Sequence, residues 1–181
     1  EAIADFFHIS DPFRLCFTKN ATEALNYAIH GCLKKGSHAV TTCLEHNSVL
    51  RPLKTLEAAS FIELSIISTN KKGEIDARDF IRHVKKNTLL FVSTLSSNIT
   101  GYLLPVRDIG RLAKENGILF LLDASQGAGS IHVDVNELNA DMMAFPGHKG
   151  LLGPQGTGGL YVKEGVLLKS LMQGGTGSLS Q

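Results

Sequence analysis

Five short stretches of this chain carry residue types that can do chemistry. The last, Phe145-Pro-Gly-His-Lys-Gly-Leu-Leu-Gly-Pro-Gln-Gly, puts Lys149 after a short apolar run, beside His148 and ahead of a glycine-rich loop. A lysine so placed is expected to leave solvent and act as an amine nucleophile. The glycines let backbone approach a bound group closely. Upstream, Asp123-Ala-Ser-Gln126 follows five apolar residues. A carboxylate there is costly to ionise unless a cation meets it. A protonated pyridine nitrogen is such a cation, and Gln126 is placed to reach a neighbouring ring oxygen. Lys149 and Asp123 together therefore suit pyridoxal phosphate, held by a lysine at its carbonyl and by an acid at its ring nitrogen.

Three weaker stretches precede these. Lys19-Asn-Ala-Thr-Glu-Ala24 reads as a strand turning into a helix start, where free N–H groups and the helix dipole favour an anion. Thr22 adds a hydroxyl there, although a plain helix cap explains the same residues. Glu45-His-Asn-Ser48 supplies His46, which can stack on a flat ring or move protons near neutral pH. A surface loop histidine is the plainer reading. Ser96-Ser-Asn-Ile-Thr-Gly101 offers Asn98, either a ligand to an oxygen or a turn former.

The elements that must position these residues alternate. Expected strands are Arg14 to Phe17, Ala39 to Cys43, Phe61 to Ile67, Leu89 to Ser93, Ile118 to Leu122, Asp141 to Phe145 and Gly159 to Val162. Expected helices are Ala21 to Leu33, Ser48 to Ala59 with Pro52 in its first turn, Asp76 through Val84, Val106 to Asn116 and Gly165 to Leu171. Glu1 to Phe7 reads as the inside of an amphipathic helix. Strands apolar throughout, separated by crossover helices, imply an α/β fold: a mainly parallel seven-stranded sheet with helices on both faces. In such sheets ligands bind beyond the carboxyl ends of the strands, where the five stretches fall.

The 181 residues suit one domain, with 43% hydrophobic and 19% charged residues and a formal net charge of +1. There is no basic excess for nucleic acid and no polybasic run for a membrane surface. Cys16, Cys32 and Cys43 form no CxxC pair, and their odd number argues against a disulfide framework, which suggests a reducing, cytoplasmic compartment. They read as core or incidental residues. Both ends look cut, so the chain is expected to be part of a longer protein. A doubly wound nucleotide-binding domain is disfavoured, since no GxGxxG follows the first strand and no Walker lysine pattern occurs.

Taken in order, Asn-Ala-Thr-Glu, Glu-His-Asn-Ser, Ser-Asn-Ile-Thr-Gly, Asp-Ala-Ser-Gln and Gly-His-Lys with Gly-Pro-Gln-Gly resemble the class V aminotransferase family, and within it the cysteine desulfurase and selenocysteine lyase group. The resemblance implies that residues 1–181 are the large, pyridoxal phosphate-binding domain of a fold type I enzyme, truncated at both ends. It implies Lys149 as the Schiff-base lysine and Asp123 as partner of the pyridinium nitrogen. Gln126 then meets the phenolic oxygen, His46 stacks on the ring and helps move protons, and Asn98 lies beside the cofactor. Ala21, Thr22 and His148 become phosphate ligands. Gly174-Gly-Thr176 matches the segment that reaches the neighbouring subunit's phosphate, which implies a homodimer with shared sites.

The activity so implied is conversion of L-cysteine to L-alanine, with sulfur passing to an enzyme cysteine and then to an acceptor protein. Selenocysteine lysis, aminotransfer and epimerisation are alternatives, as is cofactor binding without turnover. Two departures stand out. Pro146, three residues before Lys149, replaces a serine and offers neither hydroxyl nor N–H to a phosphate. The nucleophilic cysteine and the arginine that grips the substrate carboxylate belong to a later part of the chain, so residues 1–181 alone are expected to be inactive.

Overall fold

A computed structural model describes residues 1–173. Thr176 and its glycines lie outside them. In chain order the elements are α1 (Ala2–Phe6), a 3-10 turn (Pro12–Arg14), β1 (Leu15–Thr18), α2 (Ala21–Cys32), β2 (His38–Thr42), α3 (Asn47–Ala58), β3 (Glu63–Ile67), α4 (Ala77–Arg82), β4 (Thr88–Thr94), α5 (Val106–Glu115), β5 (Leu119–Asp123), β6 (Met142–Pro146) and β7 (Gly158–Val162).

The strands form one seven-stranded sheet in the order β1-β7-β6-β5-β4-β2-β3. Pairings from β3 through β6 are parallel, while β7 is antiparallel to both β6 and β1. Hence β1 runs with β6, and β7 alone is reversed. The carboxyl ends of six strands share one rim.

The uninterrupted apolar strands follow from burial on both faces. Phe120 and Leu122 join Phe80, Phe91, Ile109 and Phe145 in one core, whereas Leu121 joins Leu25, Ile29, Leu53, Leu90 and Met142 in the other. Successive side chains of β5 thus feed opposite faces, as a pleated strand requires. On the first face Phe80 stacks on Phe91 with ring centroids 5.0 Å apart, and Phe7 meets Phe145 at 4.8 Å. Polar side-chain contacts also join neighbouring strands. His38 of β2 is buried, with Nδ1 2.8 Å from Thr88 Oγ1 and Nε2 2.9 Å from Ser65 Oγ. Burial pushes this imidazole down to about 4, so it stays neutral there.

Two expected elements differ. Residues 165–171 form no helix. Gly165 has φ +83°, and Lys169 gives its N–H to Gly31 O at 2.8 Å, so the segment lies along α2 instead. Gly31 permits this close approach, since a Cβ would stand 3.1 Å from Leu168 Cβ, a tight contact. Pro52 lies inside α3, in its second turn rather than its first. Its missing N–H leaves Ser48 O, near the helix start, without its usual intrahelical donor.

Candidate active site

The local chemistry of each strand end explains how the rim is built. After β1, the Asn20 side chain accepts from Glu23 N at 2.9 Å and the Asn20 carbonyl accepts from Ala24 N at 3.3 Å. The remaining first-turn amides of α2, those of Ala21 and Thr22, have no intrahelical acceptor. They are left beside an open cavity that both residues line. A twelve-residue helix also directs the positive end of its dipole there.

After β2, Thr42 Oγ1 donates to Glu45 Oε1 at 2.7 Å and accepts from Leu44 N at 3.2 Å, which tightens the turn that carries His46. Glu45 is buried and its Oε2 has no hydrogen-bond partner among the described residues. Burial pushes this carboxyl up to about 8, and nearby Asp123 adds to the rise, so Glu45 is mostly neutral at pH 7. His46 then caps α3. Its Nδ1 accepts from Ser48 N at 3.1 Å and lies 2.8 Å from Ser48 Oγ, which in turn lies 2.8 Å from Thr22 Oγ1.

At the end of β5, the backbone of Asp123 is fixed on both sides. Its carbonyl accepts from Leu95 N at 2.8 Å, and Ala124 N donates to Ala144 O at 2.9 Å. The side chain is 1% exposed, and Oδ1 accepts from Ser125 N at 2.9 Å. Burial raises its pKa, opposed by the Ser125 hydrogen bonds and by the charges of Lys149 and His46. No ion pair among the described residues involves Asp123. A buried acid at a cavity wall without a paired cation suits a cationic ligand.

Lys149 sits in the loop between β6 and β7. Contrary to expectation it is exposed, as is His148. The loop bends back through hydrogen bonds from Gly147 N to Thr157 O and from Gly153 N to Gly147 O, both 2.8 Å, which leave Lys149 at the cavity rim rather than under it. The loop glycines serve a neighbouring loop. A Cβ on Gly150 would overlap the Ala128 carbonyl, and one on Gly129 would overlap the Gly150 backbone. Their absence lets the lysine loop pack against the turn that follows Asp123 and Gln126.

One cavity of about 180 Å³ gathers Ala21, Thr22, His46, Asn98, Asp123, Gln126, His148 and Lys149. These are all the sequence-derived candidates within the described residues. Asn98 and Gln126 are exposed and stand on turns after β4 and β5. The sequence reading missed Ser48, Thr94, Ser96 and Ser125, which also line the cavity. Ser48 belongs to the His46 stretch, and the others follow apolar strand runs, so their placement was a usable signal. Pro146 lines the cavity too, without a donor to offer. Cys32 is buried and burial pushes its thiol up to about 12, whereas Cys16 and Cys43 are exposed and none lines the cavity.

The model of the family described as "Aminotransferase class-V" matches residues 1–180. The chain belongs to the class V aminotransferase family. It is 37% identical over 182 residues to a probable cysteine desulfurase of Pyrococcus abyssi, covering 97% of this chain and 45% of that one. It is 34% identical over 163 residues to the cysteine desulfurase IscS of Clostridium botulinum, covering 88% and 41%. Among solved structures, the apo cysteine desulfurase of Thermococcus onnurineus NA1 matches with a TM-score of 0.83 at 37% identity, over 90% of this chain and 41% of that one. SspA in complex with cysteine matches at 0.89 and 33%, over 96% and 51%. The chain therefore spans less than half the length of these curated class V relatives. No described helix is long and apolar enough to cross a membrane.

Proposed function

We propose that residues 1–181 form the cofactor-holding large domain of a pyridoxal phosphate-dependent cysteine desulfurase, which converts L-cysteine to L-alanine. The observation that carries this reading is the single cavity joining Lys149, Asp123, His46 and the start of α2. Its donor set fits the cofactor: amides and a hydroxyl for an anion at one end, a buried unpaired acid at the other, and an amine at the rim. When bound, the cofactor supplies an electron sink for the amino acid's α-carbon.

The chain's own residues then divide the work. Thr22 Oγ1, His148 and the amides of Ala21 and Thr22 hold the phosphate. Pro146 adds only its ring, so these groups carry that end. Asp123 keeps the ring nitrogen protonated from a site that water does not reach, where its charge acts most strongly. Gln126 would donate to the ring oxygen, and Asn98 and His46, which line the same cavity, would help hold the ring. Lys149 would anchor the cofactor through its Nζ and, as a free amine, would take and return the α-proton with His46 as partner.

The sulfur passes to a thiolate from a part of the protein outside residues 1–181. We place the protein in a reducing compartment as a homodimer. The test is to supply L-cysteine to the full-length, cofactor-loaded protein and to measure alanine and sulfide. Equimolar alanine and thiol-releasable sulfide is the expected result. Neither product from a cofactor-loaded sample overturns the reading.

A further inference from the structure

A second cluster of ligand-type side chains lies away from the cavity. His8, His132 and Asp134 each offer one ligand atom, and these atoms all lie within 4.8 Å of one another. His8 Nδ1 is 3.7 Å from Asp134 Oδ2, and the two imidazoles meet edge to face with centroids 5.5 Å apart. None of the three lines the cavity.

The surrounding backbone holds these groups in place. Asp134 Oδ1 accepts from Asn136 N at 2.7 Å and Glu137 N at 3.2 Å, which leaves Oδ2 for His8. His8 has φ +58°, a left-handed conformation uncommon for a residue with a Cβ. Its carbonyl accepts from Asn136 Nδ2 at 2.7 Å, and the Phe7 carbonyl accepts from Val135 N at 3.3 Å. The segment after α1 and the segment before β6 are thus tied together by bonds that involve none of the three ligand atoms. That removes part of the ordering cost of binding.

We propose that His8, His132 and Asp134 bind one divalent transition metal ion of the zinc type. Two imidazoles and a carboxylate suit zinc, nickel or copper, whereas three groups with one carboxylate are too few oxygens for calcium or magnesium. Zinc bonds of about 2.0–2.2 Å in a tetrahedron place ligand atoms roughly 3.4 Å apart. The present spacing reaches that with ring rotations that move each atom by about 1 Å, and His8 and His132 are both exposed and free to turn. Water fills the open position. The bound ion fastens the segment after α1 to the β5–β6 connection, through residues that do not line the cavity.

A plain His8–Asp134 ion pair explains the 3.7 Å contact without His132, and this separates the two accounts. The full-length protein is stripped with chelator, its thiols are alkylated so that cysteines take no metal, and ZnCl2 is titrated calorimetrically. One site is expected, with affinity weakened at least about tenfold by His132→Ala and by Asp134→Asn. Zinc is also expected to raise the melting temperature of the parent but not of His132→Ala, which without zinc should melt as the parent does. Equal zinc affinity in the parent and His132→Ala, or no heat and no melting shift in the parent, overturns the proposal.

Discussion

Nδ1 of His46 lies 2.8 Å from the hydroxyl of Ser48 and accepts the amide N–H of the same residue at 3.1 Å. An accepting Nδ1 places the proton of the neutral ring on Nε2. Ser48 then donates its hydroxyl to His46 and accepts from Thr22, 2.8 Å away. One serine thus links His46 to Thr22 at the start of α2.

Ser48→Ala removes both hydroxyl contacts and keeps the amide bond to Nδ1. Cofactor affinity of the full-length protein is expected to fall about fivefold, the worth of one net hydrogen bond near 1 kcal/mol. Absorbance titration of the stripped protein with cofactor measures it. An unchanged affinity shows the serine to be a helix-cap residue only.

Lys149 and Asp123 make separable predictions. Lys149→Ala should abolish the visible absorption of lysine-bound cofactor and its fixation by borohydride, while the exposed position leaves folding stability within about 0.5 kcal/mol of the parent. Asp123→Asn keeps the shape and the Ser125 contact but removes the charge. It should leave cofactor attached and lower kcat for α-proton removal by at least about a hundredfold. Solvent deuterium exchange at the substrate α-carbon reads that step directly.

Glu45 should print itself on the pH dependence of stability. Its pKa is 4.5 for the ordinary group and about 8 in the fold. Between those values the folded state holds the extra proton, so stability is full below about pH 4.5 and falls as pH rises through 8. Asp123 drives the same trend, because burial raises its pKa as well. Glu45→Gln cannot ionise. It should be more stable than the parent at pH 8 by several kcal/mol and show a flatter profile between pH 5 and 8 in urea titrations. Parallel profiles for both proteins contradict a neutral, buried Glu45.

Gly150→Ala puts a methyl group onto the Ala128 carbonyl. The lysine loop must then part from the turn after Gln126. A loss of about 1–3 kcal/mol is expected from denaturant unfolding, with weaker cofactor attachment through Lys149. Gly156→Ala, where no neighbour is within 4 Å, is the loop control, although its φ of +80° adds strain of its own.

The sheet was legible because its strands are apolar on both faces and end in distinctive residues. The run Leu119–Leu122 closed by Asp123 located both a strand and a buried acid at the cavity wall. The segment 165–171 was not legible, since its conformation depends on a hydrogen bond to Gly31, far away in sequence. Lys149 was expected inside and stands at the rim, because loop hydrogen bonds rather than local polarity set its exposure. The role of Ser48 required knowing that α2 and α3 begin side by side. His8 and His132 carried no signal, as 124 positions separate them and neither falls on a periodic face.

The one-way run of six strands has a temporal consequence. Thr22 and Lys149 belong to the first and last quarters of the chain, yet meet across one small void. No excised half of this domain contains a usable site, and the void cannot exist until the strands between them have found their places. Long-range pairings of this kind form slowly. Cofactor capture would therefore report a completed sheet, and cofactor deprivation would leave strand assembly itself unchanged while removing the stabilisation that binding lends the finished domain.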